Sequence, residues 1–172
     1  MEKIVLLYWP KGGSVDKSAH LIYESLKDYK IDIFDLASFN LENIQNYDLI
    51  ILGNSTVGAE NWEDADNNNL WFSFFRELKK YNISNQKVAL FGLGNQVLYP
   101  AHYVDGLGFL YEELKPSNVN VIGKWPTKGY SFTDSEGVED DHFYGLALDE
   151  DFEPELTQDR INKWIEQLKK ES

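Results

Sequence analysis

Short apolar runs of strand length alternate along this chain with segments of helical period, and that alternation restricts the fold more than any other feature. Residues 3–8 are almost continuously apolar, as a strand buried on both faces requires. Comparable runs at 31–34, 47–52, 87–91 and 119–122 give five predicted strands, the third and fourth ended by Gly53 and Gly92. Between them, Ala19, Ile22 and Leu26 keep spacings of three and four. Phe72, Phe75 and Leu78 within 70–78, and Leu107, Leu110 and Leu114 within 103–114, likewise mark one face of a helix each. Near the end, Ile161, Trp164, Ile165 and Leu168 line one helical face, with Thr157 as the expected N-cap. Lys169 and Lys170 fall in its last turn, where they complement the helix dipole. Strands that alternate with helices predict an α/β fold of three layers, because parallel neighbours need right-handed crossovers. We expect a five-stranded parallel sheet of order 2-1-3-4-5 with helices on both faces. Residues 125–147, rich in Gly, Asp and Ser with short aromatic runs, fit no such unit. They read as an insertion of small β-structure near the fifth strand. With no repeat or linker in sight, residues 1–172 read as one domain.

Composition removes whole classes of function. The 172 residues hold 42% hydrophobic and 15% aromatic side chains, which excludes a disordered chain. Cysteine is absent, so disulfide frameworks, thiolate metal sites and thiol catalysis are excluded. Sixteen Lys and Arg against 29 Asp and Glu give a formal charge of −13, the wrong sign for nucleic acid. That charge suits partners with basic surfaces, met by electrostatic steering. No apolar run has the length of a membrane span, and the start does not resemble an export signal, so the expected compartment is the cytoplasm.

In an open parallel sheet of this order, ligands bind outside the carboxyl ends of the strands, between the first and third. Three loops should meet there: residues 9–15, 54–62 and 92–103. The first opens a helix, and backbone N–H groups at a helix start favour a phosphate. Gly12 and Gly13 permit close approach, Lys11 adds a positive charge, and Ser14 and Val15 begin the helix. In the second loop Ser55, Thr56, Val57 and Gly58 supply amides and small polar groups. In the third, Leu93, Gly94 and Asn95 precede Tyr99, which could cover one face of a flat ring, with Trp62 or Val57 opposite. Neither a dinucleotide fingerprint nor a nucleotide-triphosphate loop is present. His20, His102 and His142 are scattered, no acid, base or nucleophile set is evident, and His102 alone lies near the proposed ring. A phospho-acceptor signalling domain shares the sheet order but needs acidic residues after the first and third strands, which this chain lacks.

Three segments carry a resemblance. Phe91 to Pro100 resembles the G-x-G-D-Q-x-G-Y loop of the flavodoxins. Trp125 to Phe132 resembles their W-S-T-x-G-Y-x-F segment, and Phe143 to Asp151 their F-V-G-L-A-L-D-x-D segment. Thr157 to Leu168 is similar to their last helix, and the insertion from Trp125 resembles the longer subgroup. The resemblance implies non-covalent FMN and low-potential shuttling of one electron at a time, without substrate turnover, between a reductase and an acceptor. The chain is expected to act as a monomer. The resemblance also implies that Tyr99 stacks on the flavin, that Thr56 belongs to the second flavin loop, and that Gly94 and Asn95 meet the pyrimidine edge. Asn95 stands in place of the usual aspartate, and His102 in place of the usual asparagine.

The departures are concentrated at the phosphate. The family loop T-x-T-G-x-T is here Pro10, Lys11, Gly12, Gly13, Ser14, Val15, so all three threonines are gone and only the glycine matches. Each lost hydroxyl bond to a charged group is worth roughly 1.5–3 kcal/mol, and Pro10 also lacks an N–H. The usual second stacking residue, tryptophan, is Val57, and Leu98 replaces the glycine before the tyrosine. Trp9 and Trp62 are the candidates to cover the ring instead. Two readings follow: an FMN electron carrier whose phosphate is held by amides and Lys11, or a flavodoxin-like binding or regulatory protein that holds FMN weakly or not at all.

Overall fold

The computed structural model of the chain describes residues 3–56 and 69–172. β1 (Lys3–Tyr8), β2 (Lys30–Asp35), β3 (Leu49–Ser55), β4 (Lys87–Leu93) and β5 (Asn120–Ile122) form a parallel sheet of order β2-β1-β3-β4-β5. The expected topology is thus observed. Between the strands run α1 (Ser14–Ser25), α2 (Leu70–Leu78) and α3 (Asp105–Leu114), and α4 (Thr157–Glu171) closes the chain.

Strand periodicity divides the core in two. Successive side chains of a strand point to opposite faces. Ile4, Leu6, Leu49, Ile51, Ala89 and Phe91 therefore share one buried cluster with Ala19 and Ile22 of α1 and Ile161, Trp164 and Leu168 of α4. Val5, Leu7, Ile50, Leu52, Val88 and Leu90 share the other with Trp71, Phe75 and Leu78 of α2 and Leu107 and Leu110 of α3. Both faces of the central strands are covered, which is why their sequences are continuously apolar rather than alternating.

Several boundaries differ from the sequence reading, each for a physical reason. β3 and β4 run on through Gly53 and Gly92 to Ser55 and Leu93. The glycines are not stop signals. A Cβ on Gly53 would lie 1.9 Å from the Phe91 ring, and one on Gly92 2.7 Å from the Leu107 side chain. They are gaps that admit large neighbours. β3 begins at Leu49, and α3 begins at Asp105 rather than 103. Thr157 is the first residue of α4, not its cap, and its hydroxyl is committed to Glu150.

The insertion interrupts the fifth strand instead of following it. β5 pairs with Lys87 to Ala89, and a further strand, β9 (Leu146–Leu148), continues the same edge against Phe91 to Leu93. The intervening chain forms a small antiparallel sheet of β6 (Trp125–Pro126), β7 (Val138–Glu139) and β8 (His142–Phe143), in the order β6-β8-β7. Tyr103, fully buried, packs against Tyr130, Phe132 and Phe143 of this segment at ring-centroid distances of 5.7–5.8 Å. Glu136 N donates to Asp105 Oδ1 at 2.8 Å, tying the insertion to the start of α3. Among the described residues, no helix is long and apolar enough to cross a membrane.

Gly145 governs the return to the sheet, because a Cβ there would sit 2.1 Å from the Leu90 carbonyl oxygen. Gly145→Ala must shift β9 away from β4. We expect it to lower the unfolding free energy by about 1–3 kcal/mol in urea denaturation, as overpacking does.

Candidate functional site

β1, β3 and β4 lie side by side and end together, so the loops that leave them share one edge. Trp9 N donates to Gly53 O at 3.1 Å, and Thr56 N reaches Leu93 O at 3.4 Å, which knits the three strand ends. Trp9 is half-buried and packs against the core cluster of α2 and α3. Past it, Lys11, Gly12 and Gly13 are exposed. Gly12 and Gly13 have φ of 79° and 106°, a left-handed backbone that L side chains rarely adopt. This conformation excludes a threonine at position 12 without strain. Gly13 occupies the N-cap position of α1, and no side chain caps the helix from there. Ser14 is its first residue, and Val15 is buried in the core beneath α1, so position 15 serves packing here. Helix N–H groups at such a start carry partial positive charge and attract anions.

An anion is already present. Asp16 Oδ2 accepts the Gly12 N–H at 2.8 Å, and Oδ1 lies 2.9 Å from His20 Nδ1. The Tyr8 hydroxyl also bonds this carboxylate, and burial together with Asp16 pushes the Tyr8 phenol up to about 12. Burial works against the charge on Asp16, but the Gly12 amide, Tyr8 and His20 outweigh it and hold its carboxyl below the usual range. Sequence reasoning overlooked Asp16. Its signal was an acidic residue at the third helical position, where a carboxylate reaches back to the amides before the helix.

Around the other two loops, the polar atoms mostly serve the backbone. Buried Asn54 donates to Gly106 O at 2.9 Å, and Gly106 N donates to Thr56 Oγ1 at 3.3 Å. Ser55 and Thr56 are half-buried, whereas Val57, Gly58 and Trp62 lie outside the described residues. Leu93 is buried within β4, and Gly94 N donates to Leu148 O at 3.1 Å. Asn95 Oδ1 accepts from Val97 N and Leu98 N at 3.0 and 2.8 Å, while its Nδ2 donates to Asp151 Oδ2 at 3.2 Å. An aspartate could cap this turn equally well but could not donate to Asp151. Tyr99 is 62% exposed beside exposed Val97 and Leu98, forming an apolar rim. His102 Nδ1 lies 2.9 Å from Asp105 Oδ2, and Asp105 is buried.

Beneath the third loop lies a polar network that the sequence reading missed. Asp149, with no exposed surface, accepts Gln96 N at 3.0 Å and Phe152 N at 2.8 Å. Gln96 in turn donates to Glu153 at 2.8 Å and accepts Ser131 N at 2.6 Å. Arg160 of α4 binds Glu153 at 2.8 Å and lies over the Tyr130 ring at 4.2 Å. The run from Asp149 to Asp151 is therefore not a continuous acidic surface. Asp149 is buried, and Glu150 is taken by Lys17 at 2.5 Å and by Thr157. Of the three, Asp151 is the exposed one.

With this geometry in hand, the relatives are informative. The Flavodoxin family model matches residues 6–164. Flavodoxin 1 of Escherichia coli strain K12 is 36% identical over 160 residues, covering 92% of this chain and 88% of that protein. The Synechocystis flavodoxin is 34% identical over 170 residues, covering 98% and 97%. Among solved structures, Fusobacterium nucleatum flavodoxin, determined bound to flavin mononucleotide, aligns with a TM-score of 0.86 at 27% identity, covering 99% of each chain.

Two expectations follow. Because the folded pKa of Asp16 lies below its unfolded value, its charge stabilises the fold above the ordinary carboxylate range. In ligand-free protein, Asp16→Asn should cost about 0.5–1 kcal/mol at pH 7. The difference should vanish as the pH falls through the folded value, as urea titrations at pH 7 and at successively lower pH would show. Asp149→Ala orphans two N–H groups under the third loop and should cost at least about 2 kcal/mol. It should also accelerate hydrogen exchange at Gln96 and Phe152.

Proposed function

The chain belongs to the flavodoxin family, and we infer that it is a low-potential single-electron carrier using non-covalently bound FMN. It is an electron-transfer protein and not an enzyme. The observation that carries this reading is the alignment of a free-amide helix start, a Tyr99 rim and a rigid third loop along one sheet edge. The donor set fits the cofactor. Gly12 and Gly13 leave open space where side chains would stand, and the Asp16 carboxylate demonstrates that the Gly12 amide accepts an anion.

FMN, when bound, supplies one-electron chemistry through its ring. The residues of this chain do the rest. Amides of Gly12, Gly13, Ser14 and Val15, with the Lys11 ammonium, would hold the phosphate. Tyr99 would stack on the ring. Ser55, Thr56, Val57 and Gly58 would line one side, and Leu93, Gly94, Asn95 and His102 the other. Because the Asn95 side chain is committed to its own loop and to Asp151, the backbone of that loop is left to meet the pyrimidine edge. The Asp149 network fixes the loop in advance, so little ordering is needed on binding.

The electrostatics favour a low potential. Asp151 is exposed beside the third loop in a chain of charge −13, and such surroundings would disfavour added negative charge on a bound ring. The insertion that splits the fifth strand supports membership of the longer subgroup. Residues 1–172 act as one domain and as a monomer, in the cytoplasm. The exposed acidic surface suits a basic reductase and a basic acceptor.

Titration of the protein with FMN should quench flavin fluorescence and shift the visible bands. Tyr99→Ala should weaken binding about tenfold through lost stacking. A flavin spectrum unchanged at micromolar protein would overturn the reading.

A further inference from the structure

We propose that the cavity between the far end of α3 and the edge strand β5 binds a small aromatic carboxylate, held by Lys115 and Lys124 over an apolar floor. The proposal is independent of the flavin reading, because the cavity shares no residue with the three loops of that site.

Leu114, Val119 and Val121 form the floor, Leu114 buried and the two valines half-buried. Tyr111 is the aromatic wall. Its ring is fixed by stacking on Tyr144 of the insertion, with centroids 3.8 Å apart and planes 7° from parallel. Two ammoniums converge on that wall from different elements. Lys115 Nζ lies 5.4 Å from the centre of the Tyr111 ring and Lys124 Nζ 5.7 Å from it. Each lysine bonds one glutamate, Glu112 at 2.5 Å and Glu139 at 2.6 Å, and these bonds raise the pKa of both ammoniums. An ammonium has three donors, so each has bonds to spare. Both glutamates are exposed, and exposed ion pairs are too weak to compete strongly with an incoming anion. Among the described residues, the lining itself carries no carboxylate, in a chain where acids outnumber bases 29 to 16. The head of the ligand is therefore an anion, bound by charge-assisted hydrogen bonds. Its body is set by the floor and by Tyr111: flat and apolar, packed on the valines and offset or edge-on to the tyrosine. The cavity, of about 300 Å³, is at the small end of ligand clefts, so it admits one or two rings and not a nucleotide.

Titration of isotope-labelled protein with naphthoate, a two-ring carboxylate, tests this through amide chemical shifts, with and without saturating FMN. Naphthoate should bind with a Kd below about 1 mM in both cases and shift the amides of Lys115, Val119 and Val121. Naphthalenemethanol, its neutral analogue, should bind at least about tenfold more weakly. Lys115→Gln combined with Lys124→Gln should weaken naphthoate about tenfold while moving the alcohol less than about threefold. If that double variant does not fold, Lys115→Gln alone changes an exposed residue at a helix end and should weaken naphthoate about threefold. No saturable shift at those amides, equal binding of the alcohol, or an unchanged affinity in the lysine variants overturns the proposal. Shifts confined to the third loop and removed by FMN also overturn it, because the probe then reports the flavin site. Shifts at the cavity that grow with protein concentration before any probe is added assign it to a second copy of this chain and overturn the proposal as well. Failure of FMN to bind overturns the flavin reading alone, and the proposal then stands or falls on naphthoate in the ligand-free protein.

Discussion

Burial of both faces of β1, β3 and β4 is the constraint from which the rest of the molecule follows. A strand covered on both sides satisfies its backbone within the sheet, and its side chains pack to the left and right. Polar backbone can then emerge only where strands stop. Three adjacent parallel strands stop together, so their exit loops gather along a single edge. The helix that begins at Ser14 adds its own free N–H groups there. The site is thus a by-product of how the core closes, and its preference for anions is set before any particular side chain is chosen.

What side chains add is rigidity. The split fifth strand matters in this respect. Its second half, β9, delivers Asp149 directly beneath the third loop, where the carboxylate ties Gln96 N to Phe152 N. Gln96 carries the tie onward to the insertion through Ser131, and Glu153 carries it to α4 through Arg160. A charge with no exposed surface is expensive unless it is fully bonded. Here that bonding links the site loop to three other parts of the chain, so loosening one loosens all. The Tyr103 ring, held among Tyr130, Phe132 and Phe143, secures the same insertion from the α3 side.

The strands and helices were legible because burial on both faces leaves a long apolar signature, and β1 and α2 fall where the periodicity puts them, at 3–8 and 70–78. Strand ends were less legible. Gly53 and Gly92 read as breakers, but a glycine opposite Phe91 or Leu107 is a packing device, and only the partner strand reveals it. The division of the fifth strand was invisible for a similar reason, since Leu146 to Leu148 gains its meaning from pairing with Phe91 to Leu93. At the site, the loops and Tyr99 were readable from position in the fold. The burial of Asp149 was not legible, because local sequence carries no information about burial contributed by residues 53 positions away. Asp16 was not legible because its role depends on the backbone folding back to bring the Gly12 amide within reach.

That carboxylate stabilises the loop that holds it. In the free protein it satisfies the Gly12 amide, draws on the dipole of α1 and engages both Tyr8 and His20. The Gly12 amide is therefore paired before any ligand arrives. At position 12 the departure from a hydroxyl side chain is structural, because the backbone at φ 79° suits glycine and resists a threonine. Restoring hydroxyls at this loop would thus require the backbone to move as well as the side chains to change.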